Sequence, residues 1–416
     1  MKKIYFQSPE GAQVTMQKKN SSMKHWLTRL VCASTFFILN SSFLILNSTQ
    51  AQPLPLSPSA TASVITCGAG NDFYTTFGHS ALRITDTATG IDVVYNYGTF
   101  DFDTPHFYWK FARGRLNYCL SRSGFQMFMA TYDYERRAVW EQRLNFTPQE
   151  VNNLYVALEW NYLPENRYYQ YDFFRDNCAT RVRDMVEAAN GKQKIEFDDW
   201  EDYSYRYWLH EATSGGCLEW WTIGVDLLLG LPADHVCDKS ESMFYPLAMM
   251  WLYNNASRDG EQFIQPTEEL LQDIRPPLRR SFPPMVVFAL IFCAVALMTF
   301  LVPHSSFLIK LVDRVLFIIA GILGLFLVFM WVGTDHYCTA WNLNILWASP
   351  LLILIAIRHK KSPSWALWFQ EGCFFVAAVW VVWCSLSLAI LPIILTLALR
   401  VACLIPRKQQ LLRQPR

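Results

Sequence analysis

The chain has 416 residues, of which 36 are Lys or Arg and 35 are Asp or Glu, so its formal net charge at pH 7 is only +1. This total conceals two halves of opposite sign, because residues 53–273 contain 17 basic and 31 acidic residues, whereas residues 274–416 contain 13 basic and three acidic ones. Such a split indicates two compartments rather than one fold. The acidic half has no basic stripe, which excludes nucleic acid as a partner.

Residues 1–51 are predicted to be an N-terminal extension with a signal peptide. A basic segment at 24–29 precedes an apolar run at 30–46, and the small residues Thr49 and Ala51 suit cleavage before Gln52. Because the apolar run is long for a signal peptide, an uncleaved anchor is the alternative. Either version predicts that the following residues are exported.

Residues 52–273 are predicted to form an α+β domain in the periplasm, large enough for its own core. Alternating and β-branched patterns predict strands at 62–67, 80–85, 91–97 and 137–144, with weaker strand signals at 107–111 and 115–121. A helical pattern covers 124–134. Thr147, Pro148 and Glu150 predict the start of another helix, because they supply a cap, a first-turn proline and a first-turn acid.

An apolar segment at 171–174 is predicted to be extended, and a cysteine stands at the start of the helix predicted to follow it. Residues 181–190 have helical spacing and Gly191 as a stop, which makes Asp176 the predicted N-cap and places Cys178 in the first turn. Free N–H groups and the helix dipole favour a thiolate at that position. Cys178 is therefore a candidate nucleophile if an imidazole reaches it, and His79 is the candidate imidazole. The alternative is that Cys178 is a buried small hydrophobe or half of a disulfide.

The exported domain contains an odd number of cysteines, namely Cys67, Cys119, Cys178, Cys217 and Cys237. At most two disulfides can form in an oxidising compartment, which leaves one thiol free. Cys217–Cys237 and Cys67–Cys119 are the candidate pairs, and Cys178 is then the odd thiol. The sequence has no zinc-ligand spacing, no P-loop and no Gly-x-Ser-x-Gly, so neither a metal nor a cofactor is predicted.

The second half of the chain predicts an all-α membrane domain. After a basic, proline-rich linker at 274–284, five apolar runs follow at 285–302, 315–332, 342–357, 370–388 and 389–405. The loop 333–341 carries no Lys or Arg, whereas the loops on the opposite side are basic. The positive-inside rule therefore places this loop in the periplasm and the tail at 406–416 in the cytoplasm.

Four segments carry a resemblance to a known family. They are Phe-Gly-His-Ser-Ala-Leu-Arg-Ile at 77–84, Tyr-Asn-Tyr-Gly at 95–98, Phe-Phe-Arg-Asp-Asn-Cys-Ala-Thr-Arg at 173–181 and Asp-His-Tyr-Cys-Thr-Ala-Trp-Asn-Leu-Asn at 335–344. In these segments the chain resembles the bacterial Lnb-type lipoprotein N-acyltransferases. The order of a histidine on an early strand and Asn-Cys opening a later helix is also similar to the papain-like fold of lecithin:retinol acyltransferase-like and permuted NlpC/P60 thiol enzymes.

The resemblance implies a reaction and a set of site residues. The reaction is transfer of a fatty acyl chain from a phospholipid to the free amine of a diacylated lipoprotein, at the bacterial inner membrane. Cys178 is then the nucleophile and His79 its base, with Asn96 as the third catalytic residue, although Tyr95 or Tyr97 is an alternative for facing the site. The predicted substrate-binding residues are Asn177, Arg181, Arg83, Tyr97 and His336.

Two other functions remain open at this point. A membrane-tethered cysteine peptidase or amidase of the cell wall is consistent with the thiol motifs but does not need five membrane helices. A non-enzymatic envelope scaffold leaves the Gly-His and Asn-Cys motifs unexplained. For His336, the alternative to a role in gripping the lipid head group or the amine is that of an ordinary interfacial loop residue.

Overall fold

An antiparallel sheet of seven strands organises the N-terminal half of the chain. The computed structural model describes residues 55–100, 103–191, 193–198, 200–213, 218–276 and 281–406. The strands are β1 (Thr61–Cys67), β2 (His79–Asp86), β3 (Ile91–Thr99), β4 (Asn117–Gly124), β5 (Val139–Arg143), β6 (Tyr168–Gln170), β7 (Glu196–Phe197), β8 (Ala256–Arg258), β9 (Glu261–Gln262) and β10 (Glu268–Leu271). The seven-stranded sheet has the strand order β10-β5-β1-β2-β3-β4-β6, and a second sheet has the order β7-β8-β9.

Helices cover both faces of the seven-stranded sheet. The helices up to residue 276 are α1 (Phe107–Ala112), α2 (Phe125–Glu135), α3 (Pro148–Tyr162), α4 (Cys178–Asn190), α5 (Tyr205–Thr213), α6 (Glu219–Leu228), α7 (Lys239–Ser242) and α8 (Pro246–Asn254). Helices α3 and α4 pack with Leu82 and Tyr95 in the main core. Helix α2 packs on Ala81 and Val94 on the opposite face. We refer to residues 55–276 as the sheet domain.

Most of the predicted elements of the sheet domain are confirmed. Strands β1, β2 and β3 lie where the alternating patterns predicted them, each slightly longer than predicted. The helix start at Thr147 is also confirmed, because its side chain accepts from the N–H of Glu150 and the Glu150 carboxylate accepts from the N–H of Thr147. The two-layer α+β architecture follows from these local signals.

Two local predictions are wrong. Residues 107–111, predicted as a weak strand, lie in helix α1, where Phe107 and Phe111 stack on one face of the helix. The prediction failed because aromatic residues have a high β-propensity, which outweighed their helical spacing. The segment 171–174, read as extended, is a tight turn. Asp172 Oδ1 accepts from the N–H groups of Phe174 and Arg175, which closes an aspartate turn.

The helical region after the sheet domain contains apolar segments of membrane-spanning length. Its helices are α9 (Pro284–Leu301), α10 (Phe307–Val332), α11 (Leu351–Arg358), α12 (Ser364–Trp383) and α13 (Leu391–Ala402). Among the described residues, four segments are long and apolar enough to cross a membrane, namely Pro284–Leu301, Phe307–Val332, Tyr337–Lys361 and Ser364–Trp383. The fifth predicted span corresponds to a shorter apolar stretch, Leu388–Ala402.

The structure excludes one of the predicted disulfides. Cys67 lies on β1 and Cys119 on β4, and strands β2 and β3 lie between them in the sheet. Because neighbouring strands are about 4.8 Å apart, these cysteines are too far apart to form a disulfide. Cys217 and the predicted signal peptide lie outside the described residues, so the Cys217–Cys237 pair and the export signal stay predictions.

Buried polar contacts join the sheet domain to the helical region. Asp226 of α6 is fully buried, and its Oδ1 accepts from Arg206 Nη1 at 3.0 Å and from His210 Nε2 at 2.8 Å. Its Oδ2 accepts from the N–H of Ser387, in the loop before α13, at 2.7 Å. We call Arg206, His210, Asp226 and Ser387 the Asp226 cluster. Each charge in it has an opposite charge or a donor, so the cluster ties the two parts of the chain into one unit.

Candidate active site

Cys178 is the first residue of α4, and its neighbour Asn177 caps the helix. Oδ1 of Asn177 accepts from the N–H groups of Ala179 at 2.8 Å and Thr180 at 2.9 Å. The cap was predicted one residue earlier, at Asp176. That carboxylate instead forms an ion pair with Arg181, at 2.5 Å and 2.8 Å. The correction leaves Cys178 in the first turn of the helix.

Asn177 also ties the start of α4 to the rest of the sheet domain. Its Nδ2 donates to the carbonyl oxygens of Phe173 and Phe244, each at 2.9 Å. Every donor and acceptor of this buried side chain therefore has a partner in the protein. Asn177 also lines the cavity, and its side-chain amide holds Cys178 in place. Its role in substrate binding stays a prediction.

His79 begins β2, and its imidazole contacts Asn96 on the neighbouring strand. The distance between His79 Nε2 and Asn96 Oδ1 is 3.3 Å. Since an amide oxygen only accepts, Nε2 carries the proton and Nδ1 is the ring nitrogen left as a base. Gly78 precedes His79 at φ +78°, and a Cβ at that position would lie 2.8 Å from the Cys67 carbonyl oxygen. Only glycine fits this close approach, which sets the position of His79.

The surroundings keep His79 uncharged at neutral pH. Desolvation lowers the pKa of His79 from 6.5 to about 4, the nearby Arg137 guanidinium acts in the same direction, and the Asn96 contact opposes them. A neutral imidazole at pH 7 can accept a proton, as a general base must.

The thiol of Cys178 is also uncharged in the resting site. Burial raises its pKa, although the backbone N–H groups of Ser80, Ala179 and Cys178 act in the opposite direction. The N–H groups at the start of α4 lower the pKa of Cys178, in the predicted direction, but desolvation raises it by more, so the thiol form is favoured. The pair is a neutral thiol and a neutral imidazole, which needs a proton transfer at the moment of attack.

Cys178 and His79 line one cavity of about 510 Å³. This volume lies within the range of about 300–1,000 Å³ typical of small-molecule sites. Most of the wall is apolar or aromatic, including Leu116, Tyr118, Phe173, Leu209, Val225, Leu228, Leu229 and Phe244. A long hydrocarbon chain therefore fits the chemistry of the wall better than a charged or sugar-like ligand does.

The loop 333–341 contributes to the same cavity. His336 and Cys338 both line it, and His336 Nε2 lies 3.1 Å from the carbonyl oxygen of Phe111. The neighbouring Asp335 forms an ion pair with Arg115 of the sheet domain, with Nε–Oδ2 at 2.5 Å. The loop thus lies on the side of the helical region that faces the sheet domain, and it places the predicted residue His336 at the cavity.

Three predicted substrate-binding residues lie elsewhere. Arg83 forms ion pairs with Asp92 at 2.8 Å and Glu141 at 3.0 Å, so its guanidinium serves the sheet rather than the cavity. Tyr97 is buried in the main core, where its hydroxyl donates to Asn161. Successive side chains of a strand point to opposite faces of the sheet, so Tyr97 points away from the face on which Asn96 contacts His79. Arg181 pairs with Asp176 and stacks on Tyr169, 3.6 Å from the ring centroid to the guanidinium carbon.

Sequence reasoning missed several residues of the cavity wall. Phe111 and Gly114, at the end of α1, line the cavity, as does Cys338. A signal was available for α1, because Gly114 after a run with helical Phe107/Phe111 spacing marks a helix end. Cys338 lies in the segment 335–344 that carries the family resemblance, but no local pattern marks it as a cavity residue, since only the docking of its loop brings it to the site.

Comparisons with known proteins agree with the two-part architecture. The family model of the Lnb N-terminal periplasmic domain matches residues 55–210, and the model of the Lnb transmembrane domain matches residues 277–410. Searches of curated proteins and of solved structures found no match. The two family matches cover most of the chain, in the order that the fold shows. The chain belongs to the Lnb family, with an N-terminal periplasmic α+β domain followed by a helical transmembrane domain.

Proposed function

We propose that this protein is a lipoprotein N-acyltransferase of the bacterial inner membrane, with Cys178 as nucleophile, His79 as general base and Asn96 as its positioning residue. The observation that carries the proposal is the shared cavity. Cys178 and His79 line it from the sheet domain, and His336 and Cys338 line it from the loop between two membrane segments. A thiol and a base in an apolar cavity beside a membrane domain suit an acyl donor drawn from the bilayer. The phospholipid and a diacylated lipoprotein are the two substrates.

The first half-reaction transfers the acyl chain to the enzyme. Nδ1 of His79 takes the thiol proton while Sγ of Cys178 attacks the ester carbonyl of the phospholipid. The ester C–O bond breaks, and the leaving glycerol oxygen receives the proton from His79. The products are a lysophospholipid and a Cys178 thioester. Asn96 holds Nε2–H throughout, which keeps Nδ1 available.

The second half-reaction regenerates the enzyme. The α-amine of the diacylglyceryl cysteine attacks the thioester, the C–S bond breaks, and an amide forms. His79 accepts the proton lost by the nitrogen and returns it to the sulfur of Cys178. The reaction needs neither a metal nor a cofactor. The mostly apolar wall disfavours water, which would otherwise hydrolyse the thioester.

The test combines a mass measurement with a variant. Purified full-length protein is incubated with phospholipid and a diacylated lipopeptide, and both the triacylated product and an acyl adduct on Cys178 are followed by mass spectrometry. The proposal expects both species for the wild type and neither for Cys178→Ala. Cleavage of cell-wall peptides without acyl transfer would favour the peptidase alternative. The absence of either activity would favour a scaffold.

A further inference from the structure

Helix α1 presents an exposed aromatic surface beside a membrane segment. Tyr108 is 82 % exposed, Trp109 57 % and Phe111 51 %. The ring of Trp109 stacks on Phe329 of α10, with 6.1 Å between centroids, and Phe329 lies about one turn before the end of that helix at Val332. Tyr and Trp are enriched where the hydrocarbon meets the lipid head groups. The exposed aromatic residues of α1, beside the end of a membrane-spanning segment, therefore suit the level of the head groups.

The same segment forms a wall of the cavity. Phe111, Gly114 and Leu116 line the cavity together with Cys178. The segment is held to the loop 333–341, because the carbonyl oxygen of Arg113 accepts from the N–H of Asp335 at 2.9 Å. The junction of α1 with this loop is therefore the part of the cavity wall that adjoins the end of a membrane helix. We call this junction the portal.

Arg113 at the portal has an unused donor. Its Nε is buried and has no hydrogen-bond partner among the described residues. The nearby carboxylate, Asp335, is already taken by Arg115, with Nε–Oδ2 at 2.5 Å and Nη2–Oδ1 at 3.3 Å. The guanidinium carbon of Arg113 lies 5.7 Å from the ring centroid of the interfacial Trp109. A buried N–H without an acceptor is costly, so a turn of the guanidinium toward a ligand that supplies an acceptor is favoured.

We propose that Arg113 binds the phosphodiester of the phospholipid acyl donor, and that the donor enters through the portal with its acyl chain directed into the cavity. The inference rests on the proposed function and extends it to a donor-recognition residue. The planar donors of a guanidinium match phosphate oxygens. A diacylglyceryl cysteine carries no phosphate, so Arg113 distinguishes the donor lipid from the acceptor. The aromatic residues of α1 then contact the glycerol region of the donor phospholipid at the bilayer interface.

The experiment compares two acyl donors of equal chain length, a phospholipid and the corresponding diacylglycerol, which lacks the phosphate. Full-length protein in lipid nanodiscs or detergent micelles is tested as wild type, Arg113→Gln, Arg113→Lys and the control Arg143→Gln. Arg143 is an exposed arginine on β5, away from the portal. We expect Arg113→Gln to raise KM for the phospholipid about tenfold or more with little change in kcat, because a charge-assisted contact is lost. Rates with diacylglycerol should be unchanged, and Arg113→Lys should recover part of the loss.

The outcomes separate this inference from the function on which it rests. Equal losses with both donors would mean that Arg113 only supports the fold, and unchanged kinetics with the phospholipid would mean that it does not bind phosphate; either result overturns the inference. With diacylglycerol as the acyl donor, a second phospholipid competes for the site, and inhibition by millimolar inorganic phosphate as strong as that by the phospholipid would overturn the assignment to a membrane lipid. If the wild type forms no thioester with either donor, the proposed function fails as well. A wild-type thioester with an unchanged KM in Arg113→Gln refutes the inference alone.

Discussion

Two histidines of the sheet domain have opposite environments. His79 contacts a neutral amide, Asn96, at 3.3 Å in the candidate active site, whereas His210 contacts a buried carboxylate, Asp226, at 2.8 Å in the Asp226 cluster. In the first site the pKa of His79 falls to about 4, because burial is not offset by a negative charge. In the second, the carboxylate also pairs with Arg206 and accepts from the N–H of Ser387.

The difference distinguishes a site suited to reaction, around His79, from a site that holds two parts of the protein together, around Asp226. The candidate active site keeps a neutral thiol and a neutral base, which can exchange a proton when a substrate arrives. In the Asp226 cluster, partners from two parts of the chain contact one buried carboxylate. A satisfied charge resists change, since moving one partner leaves the other buried and unpaired. The predictions below test whether this division is correct.

The largest effect is expected from Cys178→Ala. The substitution removes the proposed nucleophile, Sγ of Cys178, so acyl transfer should be abolished, and Cys178→Ser should fail nearly as badly because a hydroxyl is far less acidic than a thiol. Product formation is measured by mass spectrometry of the lipopeptide. The control is Cys293→Ser, since Cys293 is exposed on α9. Full activity of Cys178→Ala would end the thiol mechanism.

His79→Ala should lower kcat/KM by roughly 10²- to 10⁴-fold, the usual loss for a missing general base. For the wild type, kcat/KM should fall only as the pH approaches about 4, where His79 becomes protonated. His304→Ala, at an exposed position in the loop between α9 and α10, is the matched control. An acid limb that persists unchanged in a partly active His79→Ala protein would show that another group sets it.

The same pKa shift predicts how stability depends on pH. The folded-state pKa of His79 is about 4 and the ordinary value is 6.5, so the unfolded chain binds the proton first as the pH falls. The contribution of neutral His79 to stability is therefore complete above about pH 6.5 and is lost progressively between pH 6.5 and 4. Thermal unfolding across this window should show a smaller pH dependence for His79→Ala than for the wild type.

Asp226→Asn should act on stability. Loss of the buried charge leaves Arg206 without one of its partners, and breaking a buried pair costs about 3–5 kcal/mol. The midpoint of thermal unfolding of the intact protein in detergent should fall accordingly. Asp184→Asn removes an exposed carboxylate on α4 and should change stability by no more than about 1 kcal/mol. Equal midpoints for the two variants would contradict the cohesive role of the cluster.

Asn96→Asp should have the smallest effect. It places a carboxylate beside His79, as Asp226 lies beside His210. A carboxylate beside His79 favours the imidazolium, so the acid limb of kcat/KM should move up by roughly one to three pH units. Activity near neutral pH should fall less than in His79→Ala. The control is Asn161→Asp, which changes an amide that contacts Tyr97 rather than a histidine. An acid limb that stays near pH 4 would show that Asn96 does not tune His79.

The sequence by itself determined the features that depend on neighbouring residues. Three features depend only on hydrogen bonds and periodicities within a few residues, and they could therefore be predicted without a structure. They are the capping box at Thr147, the alternating pattern of β1 to β3 and the apolar runs of the membrane region. The placement of Cys178 at the start of a helix followed in the same way, although the capping residue is Asn177 rather than Asp176.

Only the tertiary structure determined which side chains contact one another and how completely they are buried from water. The pairing of β2 with β3 turns Asn96 toward His79 and buries Tyr97, and distant carboxylates occupy Arg83. Docking of the loop 333–341 on the sheet domain brings His336 and Cys338 to the cavity. Burial then raises the pKa of Cys178 against the effect of the helix end. These properties depend on segments far apart in the chain and on exclusion of water, neither of which a local pattern of residues records.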